Sequence, residues 1–185
     1  CGIDPPGQGA RIMQQDIPAW IDGQLRPMDK LAVHRQGLRH PAVSVFVVCQ
    51  GRLLIQRRAL GKYHTPGLWA NTCCTHPVWG EDPLDCAHRR LEQELGITGL
   101  TLEPRGVVEY RADVGGDMIE HEVVDLFLAD CAARPPLTAN PDEVMDTDWI
   151  NAADLHGAMA DTPAEFTPWL QIYLRDHGDQ VLPGF

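Results

Sequence analysis

Cys74 and His76 stand two residues apart, and Glu120 and Glu122 repeat that spacing further along the chain. In an extended strand alternate side chains share a face, so each pair presents both of its groups to one side. Two carboxylates held side by side repel unless a cation or a shared proton lies between them. A thiol and an imidazole beside such a pair point to proton-transfer chemistry around a bound cation. Three histidines, His34, His40 and His76, together with Glu120 and Glu122, offer an all-nitrogen-and-oxygen donor set suited to manganese or zinc. The only two lysines of the chain, Lys30 and Lys62, lie in histidine-rich stretches, with Arg58 four residues before the second. With Arg90 they read as a cationic cradle for phosphate, the arginines adding two-pronged contacts.

These groups need elements to hold them. Asp29 can cap a short helix on which Lys30 and His34 share a face. Ala42 to Val48, a turn at Gln50-Gly51, and Arg52 to Gln56 read as a hairpin of buried strands that delivers Arg57 and Arg58 into a loop over 59–68. Asp82 and Pro83 signal a helix start, and Leu84, Ala87, Leu91 and Leu95 recur at helical spacing until Gly96 stops them. Strands near 100–112 and 118–129 flank the Gly115-Gly116-Asp117 turn, which places Glu120 and Glu122 on the second of them. A strand near 144–150 leads into a helix capped by Asn151, and Thr162-Pro163 opens a last helical region carrying Phe166, Trp169 and Tyr173 and ending before Gly178. Strands, one long helix, more strands and then helices make an α/β (α+β) sandwich.

At 185 residues the chain fits one full core. The expected division is an unstructured or appended segment over 1–15, a single domain over 16–178 and a tail over 179–185. A net charge of -11 argues against a nucleic-acid partner, so an anionic ligand must be held by local cations or a metal. No apolar run approaches the roughly 20 residues of a membrane span, and six scattered cysteines favour reduced thiols. A cytoplasmic monomer with a small-molecule partner and no membrane contact is the expectation.

The helix from Gly80 to Ile97 is similar to an eroded Nudix box, in which helix glutamates hold magnesium against a diphosphate. Arg90 stands where that box has a glutamate, Gln93 where it has the first of a glutamate pair, and Thr75 where it has its leading glycine. Taken with Arg57-Arg58-Ala59-Leu60-Gly61-Lys62, the run from Pro66-Gly67-Leu68-Trp69 through Asn71 and Cys74 to His76-Pro77, Tyr110-Arg111-Ala112, Glu120-His121-Glu122 and Pro168-Trp169, it resembles the type I isopentenyl-diphosphate isomerases. The resemblance runs in order over roughly 16–175. It implies a Nudix-like mixed-sheet sandwich with flanking helices and an isomerase activity in isoprenoid biosynthesis. The reaction interconverts isopentenyl and dimethylallyl diphosphates by a 1,3-allylic proton shift through a tertiary carbocation.

By the same matching, Cys74 and Glu122 are the catalytic pair, with the order in which they give and take protons left open. Tyr110 hydrogen-bonds the carboxylate, and Trp169 offers its ring to the cationic carbons. His34, His40, His76, Glu120 and Glu122 bind manganese or zinc. Glu94, with the backbone carbonyl of Cys74, binds magnesium, and Lys30, Arg58, Lys62 and Arg90 contact the diphosphate. His34 and His40 are six residues apart, a slightly shorter loop than in one member of the family it resembles, and Cys73 adjoins Cys74. The His-Pro register and strand alternation assign the reactive thiol to Cys74 and turn Cys73 to the core. Two other readings remain: a Nudix-type diphosphate hydrolase and a non-catalytic metal-binding module.

Overall fold

The structure, a computed structural model, describes residues 16–185; the segment expected over 1–15 lies outside the described residues. An opening hairpin, β1 (Asp16–Ile21) and β2 (Gln24–Asp29), leads into α1 (Lys30–Gln36), whose first turn is capped by the Asp29 carboxylate accepting from Ala32 N. The main sheet follows: β3 (Arg39–Cys49), β4 (Arg52–Arg58), the short β5 (Trp69–Ala70) and β6 (Cys73–Thr75), then β7 (Glu103–Gly115), β8 (Met118–Cys131) and β9 (Val144–Ile150). Between β6 and β7 runs α2 (Pro83–Leu95), and after β9 come α3 (Ala152–Asp161), α4 (Pro168–Asp176) and α5 (Gly178–Val181). Strand order is β5-β4-β3-β8-β7, with β6 on β3 and β9 on β4; β3 and β8 are parallel and their other neighbours antiparallel.

The pleat sorts this sheet into two cores. Ala42 and Phe46 of β3 and Val124, Leu126 and Leu128 of β8 face one side, where Leu155, Trp169, Leu170 and Tyr173 cover them. Val43, Val45 and Val47 of β3 and Phe127 and Ala129 of β8 face the other, against Cys86, Ala87, Leu91 and Leu95 of α2. Helix α2 begins and ends as its sequence dictates. Asp82 accepts from Leu84 N, Pro83 starts the first turn, and Gly96 closes it at φ 68°. A side chain at Gly96 would meet Thr138 Cβ at 2.9 Å, so glycine is required by both backbone and space.

Three features depart from the expected elements. The β3–β4 hairpin is paired only at Val48–Leu53 and Cys49–Arg52 and then splays. The gap is filled by 71–75: β6 takes the free edge of β3, and Thr72 Oγ1 accepts from Val47 N at 2.9 Å and donates to Leu54 O at 2.6 Å. The last helical region does not run on from Pro163. A 3₁₀ turn (Pro163–Glu165) gives way to an extended Phe166 bridged to Trp69, Thr167 N donates to Trp69 O at 2.9 Å, and Pro168 restarts the helix. The residues expected as a tail over 179–185 begin within α5, and Val181 with the following Leu182 packs into the first core. Among the described residues no helix is long and apolar enough to cross a membrane.

Candidate active site

Glu120 and Glu122 alternate with His121 on β8, and the alternation separates them: both glutamates are buried, while His121 faces outward toward Glu109. Register brings the rest of the face to them. Tyr110 of β7 pairs with Glu122, and His40 of β3 pairs with Glu122 from the parallel side. The Tyr110 hydroxyl lies 2.8 Å from Glu120 Oε2 and 2.7 Å from Glu122 Oε2. A phenol has one proton, so a second proton or a cation must serve the other oxygen. Burial, reinforced by the Glu122 charge, pushes Glu120 well above the usual carboxylate range. Burial acts the same way on Glu122, but the His40 and His76 rings beside it outweigh burial and hold that carboxyl well below the range.

The histidines present one nitrogen each to these carboxylates. His34 Nδ1 lies 2.7 Å from Lys30 O and His40 Nδ1 2.7 Å from Leu38 O, so each ring is held from behind with Nε2 directed inward. His76 Nε2 lies 2.9 Å from Glu122 Oε1 and 3.2 Å from His40 Nε2, and its Nδ1 is buried with no partner among the described residues. Two imidazole nitrogens at that separation can share at most one proton, and a metal ion satisfies both. Burial first, then the neighbouring cationic or titratable groups, holds His76 well below the usual imidazole range and His34 down to about 4. Neutral rings with free lone pairs are the form a metal needs. Donor atoms of His34, His40, His76 and Glu122 all lie within 4.8 Å of one another, as do those of His34, His64 and Glu120. The residues therefore fit a divalent ion.

Cys74 sits on β6 opposite Ser44 of β3, and pleating gives it the same face. Ser44 Oγ is 3.1 Å from Cys74 Sγ and 3.0 Å from Tyr173 Oη, a hydroxyl chain that fixes the thiol. Burial, then the charges of Glu122 and Glu120, push the Cys74 thiol well up, so it carries its proton at neutral pH. Cys73, one residue earlier, faces α2 in the opposite core.

Above this floor lie the cations. Lys30, Arg58, Lys62 and Arg90 line the same narrow cleft as Cys74, His76, Glu120, Glu122 and Trp169. Burial, with Lys62, Arg90 and Arg58 nearby, lowers the Lys30 ammonium to about 8. Arg58 is buried, its Nη2 donates to His64 O at 3.1 Å, and its Nε has no partner among the described residues. Arg58 also lies over the Trp169 ring, 5.2 Å from its centroid, and His64 meets the same ring edge-on at 5.8 Å. Trp169 thus links the cationic and histidine ends. The anchors are not all free. Lys62 is paired with Glu143, and Arg90 Nη2 reaches Glu143 Oε1 at 3.1 Å and Glu94 Oε1 at 2.5 Å.

Glu94 lies behind the cleft rather than in it, with Oε2 accepting from Gln56 Nε2 at 3.0 Å. The helix offers no second inward carboxylate where the Nudix box would have one, since Gln93 accepts from Arg89 and Arg90 at the exposed edge. A hydrolase site of clustered helix glutamates is therefore not built by α2. Sequence reading missed His64, Ser44, Tyr173 and Glu143. Ser44 alone had a signal, being the polar exception in an apolar strand.

Comparison with known proteins agrees with this geometry. The NUDIX domain family matches residues 38–170. An isopentenyl-diphosphate Delta-isomerase of Dinoroseobacter shibae is 57% identical over 169 residues, covering 91% of this chain and 96% of that protein. One from Ruegeria pomeroyi is 58% identical over 165 residues, covering 89% and 92%. Among solved structures, a Deinococcus radiodurans protein superposes with a TM-score of 0.63 at 16% identity over 80% of this chain and 90% of that one, a likeness of fold alone. The sorted sheet, the half-buried thiol beside a buried carboxylate, and the extent of these matches place the chain in the isopentenyl-diphosphate Delta-isomerase family of the Nudix superfamily.

Proposed function

We propose that this chain interconverts isopentenyl and dimethylallyl diphosphates, with Cys74 and Glu122 as the two proton-transfer groups. The observation that supports it most is that the Cys74 thiol and the Glu122 carboxylate line one cleft beneath a cationic anchor of Lys30, Arg58, Lys62 and Arg90. Adding a proton to the terminal alkene carbon gives a tertiary carbocation, and removing one from the neighbouring methylene restores a double bond one position along. One proton enters and one leaves, and no bond to phosphorus breaks. Such a step needs an acid, a base and a wall that tolerates cation character. The Trp169 ring supplies that wall, and Tyr110 holds both carboxylates in place. Lys30, Arg58, Lys62 and Arg90 bind the diphosphate and so fix the alkene over the pair.

The proposed metal ligands are His34, His40, His76, Glu120 and Glu122. Manganese or zinc bound there would neutralise the carboxylate pair and direct the Glu122 proton to its unligated oxygen. Glu94 and the Cys74 backbone carbonyl are proposed to hold magnesium that accompanies the diphosphate. Glu94, now paired with Arg90, would exchange that partner for the ion, which would free Arg90 for the phosphate. The protein acts as a monomer in the cytoplasm on this reading, which a sedimentation measurement checks. Incubation of metal-loaded protein with isopentenyl diphosphate in deuterated water should yield dimethylallyl diphosphate carrying solvent label. Folded protein that releases phosphate, or returns unlabelled substrate, sinks the proposal.

A further inference from the structure

His64 lies outside the five donors proposed for the metal, yet it is built like them. Its ring is buried, and its Nδ1 lies 3.1 Å from Thr65 Oγ1, which holds it from behind as the Lys30 and Leu38 carbonyls hold His34 and His40. Orientation of a ligating imidazole through its other nitrogen is the usual support for a metal site. Nε2 is left to face Glu120 Oε1 at 3.5 Å, longer than a hydrogen bond. The ring also stacks on His34, with centroids 5.5 Å apart at 27°.

The loop that carries it is under strain to do so. Thr65 has φ 45°, a left-handed conformation that a β-branched residue adopts only when its surroundings impose it. Those surroundings are specific. Arg58 Nη2 holds the His64 carbonyl at 3.1 Å, Gly67 N donates to Arg58 O at 3.0 Å, and Arg58 N donates to Leu68 O at 2.9 Å.

We propose that His64 is a further protein donor to the divalent-metal centre, joining His34 and Glu120 on the ion. This rests on the reading of the histidine and glutamate cluster as a metal centre. Four imidazoles and two carboxylates would fill an octahedral shell, which favours manganese over a tetrahedral zinc and leaves the substrate no position on the ion. The ion then holds and polarises the carboxylates, and Arg58, which grips the loop of His64, connects diphosphate binding to the metal shell.

X-ray absorption of the manganese-loaded protein should give four imidazoles about the ion, and His64→Ala three, with water replacing the fourth. Chelator competition should show manganese binding to His64→Ala and His64→Asn weakened at least about tenfold, the scale of losing a supporting group. Loss at the exposed His156→Ala should be nil. The metal-free melting temperature of each variant separates this from misfolding, and one of the two substitutions keeping that temperature suffices. Wild-type protein that binds no ion would overturn the metal centre and this inference together. Wild-type protein with three imidazoles, and His64 variants that bind as tightly as it does, would overturn the inference alone.

Discussion

The floor of the cleft and its cationic mouth are built differently. Glu120, Glu122, His40, Tyr110 and Cys74 project from paired strands, and their positions follow from register. Their partners are neutral rings and hydroxyls. Lys30, Arg58, Lys62 and Arg90 come from a helix start, a strand end, a loop and a helix face, and two of them are already paired with carboxylates. Groups that must stay put through a proton transfer sit on the rigid sheet. Groups that must release one anion to take another sit where ion pairs can exchange. Variants at the floor should therefore change turnover, and variants at the mouth should change substrate affinity.

The largest effects test the floor. Cys74→Ala and Glu122→Gln should each lower kcat by at least about a thousandfold, within the range a lost acid or base produces. Their KM should move little. Cys73→Ser should keep kcat per folded molecule and instead lose about 1–3 kcal/mol of stability, because it buries an unpaired hydroxyl in the α2 core. Denaturant melts alongside steady-state kinetics make the distinction. Equal loss of kcat at both cysteines would break the two-face assignment. At the mouth, Arg90→Ala should raise KM by about ten- to a hundredfold with a smaller change in kcat, the scale of 1.5–3 kcal/mol for charge-assisted bonds. A fall in kcat with KM unchanged would place Arg90 with the floor.

That asymmetry also governs what could be read before the fold was seen. Alternation told which of Glu120, His121 and Glu122 face inward, and it separated Cys73 from Cys74, because strand periodicity is local. Helix α2 was legible from Asp82, Pro83, its leucines and Gly96 for the same reason. His64 and Glu143 were not, since each lies in a loop where no period predicts direction and each meets its partners from far along the chain. The splay of β3 from β4 was hidden because Thr72 and Asn71 form hydrogen bonds there that an ordinary hairpin would make between its own strands. Val181 and Leu182 were read as tail because four residues of helix carry too short a pattern to recognise.

A pH series sharpens the mouth further. Lys30 has its ammonium lowered to about 8 by burial and by three neighbouring cations. The protonated form binds the diphosphate, so affinity is full below that value and falls as pH rises through it. Competitive inhibition by inorganic diphosphate should weaken several-fold between pH 7 and 9, and Lys30→Arg, which keeps its charge, should remove that part of the slope. The folding contribution has the opposite sense: the cost of the buried ammonium is present below about 8 and relieved as pH rises towards 10.5. An inhibition constant flat across this window in the wild type would remove Lys30 from the anchor.

The smallest effect comes from the carboxylate that occupies the mouth in the absence of substrate. Glu143 pairs with both Lys62 and Arg90, and these two hold its carboxyl below the usual range against the opposing effect of burial. A diphosphate must compete with it for the same two cations. Glu143→Gln removes that competitor while keeping the side chain's shape, so inorganic diphosphate should bind about two- to fivefold more tightly, with a steeper salt dependence. The half-buried pairs lost should cost about 1 kcal/mol or less of stability after screening. Because the substrate carries the same diphosphate, KM should fall with kcat little changed. Weaker binding would mean that Glu143 goes with Glu94 to the ion rather than yielding to the phosphate, and the mouth would then be as fixed as the floor.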